Sequence, residues 1–168
     1  PAISSAAICS STTIWRAPRP DGKGMKPKDL VAAMRAPNLV RGSIVCVLDA
    51  EDEPDADQPA AVVAAFNANP HLKALQCELR FRNARKNLST QVAATAYFAH
   101  FNYLLPGYCA LDSAVEGGGN LLIPLGGTSN YFQRDALEEA GLWDAHNITE
   151  DLDLGVRFAR TGVKVGYL

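Results

Sequence analysis

The sequence predicts an α/β fold, in which helices alternate with the strands of one sheet, on three observations. Ile44-Val45-Cys46-Val47-Leu48 is an apolar, β-branched run that reads as a buried strand. Residues 58–66 follow as an amphipathic helix that Asn69-Pro70 ends, because proline keeps the residue before it out of the helical region. Residues 73–81 then read as a second strand, and this alternation is that of a sheet wound by right-handed crossovers. In such sheets ligands gather beyond the carboxyl ends of the strands.

The segment ahead of the first of these strands begins in small residues without an initiator Met and reads as a chain entered partway, with a strand expected near Ile14-Trp15-Arg16. Residues 19–24 are turn chemistry, and residues 29–34 form a helical pattern with Leu30 and Met34 one turn apart. Lys23, Lys26 and Lys28 read by default as a solvated basic loop. Residues 84–105 are expected as one long helix interrupted at Pro106-Gly107. Its aromatic stripe, with Tyr97, Phe98 and Phe101, reads first as core and second as a surface that docks on something apolar, such as a membrane or a neighbouring segment. Residues 116–120 are a flexible glycine loop, and residues 121–125 a short apolar run into Gly126-Gly127-Thr128-Ser129-Asn130.

Composition narrows the function classes. With 168 residues the chain fits a single domain, and 48% hydrophobic and 20% charged content argues against disorder. A formal charge of −2 and scattered cations exclude a nucleic-acid footprint. Cys9, Cys46, Cys77 and Cys109 lie far apart with no CxxC pair, so they signal neither zinc nor a disulfide framework and read as reduced core thiols. No apolar run is as long as a membrane span, and the sequons at Asn87 and Asn147 would count only in a secreted protein.

Three stretches carry chemistry. Asp49-Ala50-Glu51-Asp52 sets three acids at the mouth of a buried strand, where repulsion and lost hydration call for a positive partner. That partner is either a divalent metal, with oxygen ligands suited to Mg²⁺ or Mn²⁺, or simply water around an acidic turn. In the Gly126–Asn130 stretch, paired glycines allow close approach of backbone N–H groups to a ligand, though such residues also make plain turns. Asn147-Ile148-Thr149-Glu150-Asp151-Leu152-Asp153-Leu154-Gly155 opens a helix that runs to about Arg160 and closes at Gly162, with Asn147 or Thr149 as N-cap. Helical spacing puts Asp153 on the face of Arg157 and Arg160, an ion-pair face, and Asp151 on the apolar face of Leu154, Gly155 and Phe158. Asp151 therefore points inward, poised either as a general base or as a charge on the helix dipole.

These motifs in this order, together with Gly141-Leu142-Trp143-Asp144, resemble the bacterial, cellulose-synthase-like group of family 2 glycosyltransferases, from about Lys23 to Leu168. The resemblance implies a GT-A-type (Rossmann-like) mixed, mainly parallel sheet flanked by helices, here one partial catalytic domain cut at both ends. It implies transfer of a sugar, with inversion, from a nucleotide-diphosphate donor such as a UDP-sugar to an acceptor hydroxyl, glycan or lipid-linked, in polysaccharide synthesis. By the same resemblance Asp49 with Glu51 or Asp52 holds Mg²⁺ or Mn²⁺, Asp151 is the base with Glu150 beside it in the catalytic motif, and Gly127, Thr128, Ser129 and Asn130 line the acceptor and phosphate region. Lys26 matches a lysine near the nucleotide. The parent is expected to be a membrane protein with this domain on the cytoplasmic face.

One base and one direct displacement give inversion without an enzyme nucleophile, so a glycosidase with two flanking carboxylates is the weaker enzymatic reading. The alternative from another class is an inactive sugar-nucleotide-binding or structural module.

Overall fold

The computed structural model describes residues 26–36, 40, 42–115 and 121–168. The expected strand near Ile14, the turn at 19–24 with Lys23, Cys9 and the glycine loop at 116–120 lie outside the described residues. Within them the order is helix α1 (Lys26–Arg35), strand β1 (Ile44–Val47), α2 (Gln58–Ala68), β2 (Leu72–Gln76), α3 (Leu88–Ala99), a π-helical turn (His100–Leu104), α4 (Leu105–Ala114), β3 (Asn130–Gln133), α5 (Arg134–Glu139), α6 (Glu150–Thr161) and β4 (Lys164–Tyr167).

The four strands form one sheet in the order β1-β3-β2-β4. β3 runs antiparallel to both β1 and β2, whereas β2 and β4 are parallel, so β1, β2 and β4 share a direction that β3 opposes. The sheet is therefore mixed, as expected; three of its strands share a direction, but two of its three pairings are antiparallel, because β3 is inserted between β1 and β2. Asn130, the first residue of β3, pairs with Val47 on one side and Gln76 on the other. That register brings the start of β3 against the carboxyl ends of β1 and β2, where the site lies.

Alternation along the strands sends side chains to two packed faces. Val45, Val47, Ala74 and Phe132 meet Val31 of α1, Leu137 of α5, and Leu154 and Phe158 of α6. On the other face Leu75 and Tyr131 meet Val62 and Phe66 of α2. Phe132 and Phe158 are fully buried, each worth about 1.5–3 kcal/mol of transfer from water. A third cluster, Phe101, Leu105 and Ile123, joins the α3–α4 arm to Val165 and Tyr167 of β4.

Several boundaries differ from expectation for identifiable reasons. α1 begins at Lys26, ahead of residue 29, since proline is tolerated in a first turn. β2 stops at Gln76, and Cys77 and Glu78 turn their amides to the carbonyls of Ser129 and Leu168. The long helix starts at Leu88 behind a reciprocal cap between Asn87 and Thr90, and it does not stop at Pro106-Gly107. There the π turn shifts the hydrogen bonding, with Leu105 N donating to His100 O, and Pro106 enters at the start of α4, where its missing N–H costs least. The aromatic stripe is divided: Phe101 is core, whereas α3 buries none of its residues and Phe98 and Tyr103 are exposed. Of the three cysteines among the described residues, Cys77 is buried, Cys109 half-buried and Cys46 exposed, so among them only Cys77 is a fully buried core thiol.

Candidate active site

The acidic turn, the glycine loop and the start of α6 converge at the carboxyl ends of β1 and β2. Asp49 N donates to Asp52 Oδ2 at 2.8 Å and to Thr128 Oγ1 at 2.9 Å, and the Thr128 hydroxyl donates to the same Asp52 oxygen. Asp52 thus closes its own turn and ties it to the loop. Asp49 keeps its side chain for other partners: Oδ1 accepts from Lys26 Nζ at 2.7 Å, and the carboxylate is 37% exposed. Lys26 also donates to the Gly127 carbonyl, so this lysine bridges α1, the acidic turn and the loop rather than lying in solvent. Lys28 is exposed, and so is Glu51.

The loop is held from below by a residue that the sequence reading did not single out. Gln76 is fully buried; its Oε1 accepts from Gly126 N at 2.7 Å, and its Nε2 donates to Thr128 O at 3.0 Å and Cys77 O at 2.9 Å. A glutamine ending an apolar strand is the signal that could have found it, because a buried amide must be fully bonded. Ser129 takes the left-handed conformation (φ 55°), a cost of about 1–3 kcal/mol, and is secured by Gln58 Nε2 on its hydroxyl and Cys77 N on its carbonyl. Asn130 is buried, donates to the Gly126 carbonyl, and leaves its Oδ1 without a hydrogen bond.

Asp151 sits where its helix face predicts. It is buried at 6% exposure, as are Leu154, Gly155 and Phe158, while Asp153 Oδ2 accepts from Arg157 Nε at 2.9 Å and Arg160 is exposed. Thr149 is the N-cap of α6 but makes no side-chain cap bond; Asn147 Oδ1 instead accepts from Thr149 N and its hydroxyl. A Cβ on Gly127 would stand 3.5 Å from Asp151 Oδ2 and 3.8 Å from Lys26 Nζ, ordinary contact distances that put the loop directly beside both groups. Asp151, the loop and the Lys26–Asp49 pair therefore border one space.

The electrostatics follow from burial. The Asp151 carboxyl is pushed up to about 7, chiefly by loss of hydration and next by the charge of the neighbouring Glu150, against the opposing pull of the Lys26 ammonium. Glu150 is itself 5% exposed, so its part is to load the pair with charge. Asp151 Oδ1 makes no hydrogen bond. The Trp143 indole N–H lies close enough to favour the ionised carboxylate slightly, yet makes no hydrogen bond of ordinary geometry. Trp143 is fixed by an edge-on contact with Phe132, centroids 5.7 Å apart, and by the left-handed backbone at Gly141 and Leu142 before it.

The donor set bears on a metal. Among the described residues no group of three His, Cys, Asp or Glu side chains could hold one. Mg²⁺ and Mn²⁺ sites that use substrate phosphates need only one or two carboxylates, and Asp49 and Glu51 have oxygens free for that, whereas Asp52 Oδ2 is committed. The acids fit a metal completed by a diphosphate and water.

Comparison with known proteins decides the family. Residues 2–168 match the family described as "Glycosyltransferase like family 2". The chain belongs to glycosyltransferase family 2. It is 28% identical over 148 residues to the protein named probable glucomannan 4-beta-mannosyltransferase 11 of Arabidopsis thaliana, covering 87% of this chain and 31% of that protein. It is 27% identical over 150 residues to glucomannan 4-beta-mannosyltransferase 9 of the same plant, covering 89% and 27%. Against probable glucomannan 4-beta-mannosyltransferase 9 of Oryza sativa subsp. japonica it is 28% identical over 124 residues, 74% and 22%. The chain thus spans less than a third of the length of these relatives. A mixed sheet flanked by helices is the architecture that the family-2 resemblance implies, a GT-A-like domain.

Proposed function

We propose that this family-2 domain moves a sugar from a nucleotide-diphosphate donor, a UDP-sugar in the first instance, to an acceptor hydroxyl with inversion, and that Asp151 is the general base. The observation that carries this reading is a buried carboxylate whose Oδ2 stands at the Gly127 loop beside Lys26, which pairs with Asp49, while its Oδ1 makes no hydrogen bond. An acid pushed up to about 7 is matched to taking a proton near neutral pH.

In the step proposed, Asp151 Oδ2, the oxygen beside the Gly127 loop, accepts the acceptor hydroxyl proton as that hydroxyl's oxygen bonds to the anomeric carbon. The bond from that carbon to the diphosphate breaks, and the leaving group departs with the electron pair. Lys26 Nζ supplies fixed positive charge beside Asp49 and the Gly127 carbonyl. A bound Mg²⁺ or Mn²⁺, held by Asp49 and Glu51, would neutralise charge on the diphosphate. Glu150 keeps the base from ionising too early in the pH scale.

The names of the relatives support a mannosyl or similar hexosyl unit and a glucomannan-like polysaccharide as the acceptor class. A parent protein at the cytoplasmic face of a membrane, with a glycan or lipid-linked acceptor, belongs to the same proposal; among the described residues no helix is long and apolar enough to cross a bilayer.

The test is donor consumption by the full-length protein across a panel of nucleotide sugars with Mn²⁺ or Mg²⁺. Acceptor-dependent release of the nucleotide diphosphate supports the reading, and tight binding of a donor with no turnover assigns an inactive sugar-nucleotide-binding module instead.

A further inference from the structure

The α3–α4 arm carries a surface that the proposed chemistry does not use. Across Leu88 to Leu111 there is no Asp, Glu, Lys or Arg. One side of the arm is anchored: Phe101 and Leu105, one turn apart, are buried against β4, the Phe101 ring lies 6.4 Å from that of Tyr167, and Asp112 accepts from Lys164 Nζ at 2.9 Å. The other side bares Leu88 (75% exposed), Val92 (62%), Phe98 (55%), Tyr103 (68%), Leu104 (52%) and Leu111 (59%). At 1.5 Å per residue the stretch is roughly 35 Å long, and monomeric proteins seldom leave so many large apolar side chains of one helical arm to water.

The charges at its end say what covers it. Arg80, Arg82, Arg85 and Lys86 are exposed in the turn that leads into α3. Arg80 and Arg82 have acidic partners in Glu78 and Glu53, whereas Arg85 and Lys86 take part in no ion pair among the described residues. The two cations stand directly before the N-terminus of α3, where the helix dipole disfavours positive charge and where Asn87 and Thr90 already cap the free amides. Their placement is therefore not a helix-stabilising device. Unpaired cations beside a long apolar helix face with exposed tyrosines complement one chemistry, a surface with anionic phosphates above acyl chains.

We propose that the α3–α4 arm docks on an anionic lipid bilayer surface, its bare face lying in the headgroup–acyl boundary and Arg85 and Lys86 on lipid phosphates. The arm lies along the interface and does not cross it. This goes beyond the glycosyl-transfer reading and uses none of its residues, so either can fail without the other.

The test places a reporter on the arm in the full-length protein, mixed with or reconstituted into vesicles of brominated phosphatidylcholine and phosphatidylglycerol. Leu104→Trp should give blue-shifted emission quenched by roughly half, because an interfacial helix buries its apolar face about 5–10 Å into the boundary. Glu139→Trp, exposed on α5, which packs on β3 and is no part of the arm, should be unquenched above the background of the unsubstituted protein. Adding Arg85→Glu and Lys86→Glu to the Leu104→Trp variant should reduce its quenching, as should replacing phosphatidylglycerol by brominated phosphatidylcholine alone. Absence of quenching at position 104, or equal quenching at 104 and 139, overturns the proposal. A blue shift that tracks protein concentration without lipid assigns the face to a second copy of the chain, and one present at all concentrations without lipid assigns it to another segment of the same chain; both overturn it.

Discussion

The Gly126 amide donates a 2.7 Å hydrogen bond to Gln76 Oε1, so the last residue of a buried strand holds the first residue of the glycine loop. Gln76 Nε2 donates in turn to the Thr128 carbonyl at 3.0 Å, and the Thr128 hydroxyl binds the acidic turn at Asp49 N and Asp52. One buried side chain thus fixes the loop relative to the acids. Gln76→Leu should destabilise the fold by about 1–3 kcal/mol for each backbone group left unpaired, read from the midpoint of chemical denaturation. An unchanged midpoint would mean that the loop is positioned by something else.

Lys26→Met should remove the cation shared by Asp49 and the Gly127 carbonyl. Because the Lys26 charge holds the Asp151 carboxyl down, its loss should move the acidic limb of the pH profile of kcat/KM to higher pH. A limb that stays in place would uncouple Lys26 from Asp151.

Asp49→Asn and Glu51→Gln should each weaken Mn²⁺-dependent donor binding, measured by calorimetric titration of UDP with Mn²⁺. Asp52→Asn should behave differently, since Asp52 Oδ2 closes the turn onto Asp49 N and Thr128; it should lower thermal stability more than the other two. Unchanged affinity in Asp49→Asn and Glu51→Gln would return those acids to a solvated turn.

The pH dependence of stability has a defined sign. The Asp151 carboxyl has an ordinary value of 3.8 and stands at about 7 in the fold, so between those limits the folded chain holds a proton that the unfolded chain releases. The contribution of this group to stability is complete below about pH 4, declines as pH rises, and is lost above about pH 7. Asp151→Asn, which cannot ionise, should therefore unfold at higher temperature than the parent at pH 8, with the difference vanishing near pH 4. A variant less stable at pH 8 would show that Asp151 is a structural charge.

How much of this was legible in sequence depends on periodicity. β1 was readable as a continuous apolar, β-branched run, α2 by its apolar run and the Asn69-Pro70 stop, and α6 by a clean apolar period, from which the split of Asp151 from Asp153 followed by helical spacing alone. β3 and β4 were not assigned, since Asn130–Gln133 and Lys164–Tyr167 are four residues each, too short for a period, and their pairing is set by distant neighbours. In the candidate site the acids, the loop and Lys26 were found by motif, whereas their joining through Gln76 was not, because hydrogen bonds 50 and 52 positions apart leave no local pattern. The arm misled for the opposite reason. An aromatic stripe at helical spacing reads as core, and only three-dimensional exposure of Phe98 and Tyr103 shows that its faces are divided.

The most direct test is the turnover of Asp151→Asn in the full-length enzyme beside that of Asp153→Asn. Both acids lie in the first turn of α6 and feel the same dipole, but Asp151 is buried with an unbonded oxygen while Asp153 is paired with Arg157. Asp151→Asn should lower kcat by roughly 10² to 10⁴ with donor affinity nearly unchanged, the range expected for loss of a general base, and Asp153→Asn should leave kcat close to the parent value. Turnover preserved in Asp151→Asn, or equal losses in the two variants, would contradict the assignment of Asp151 as the base.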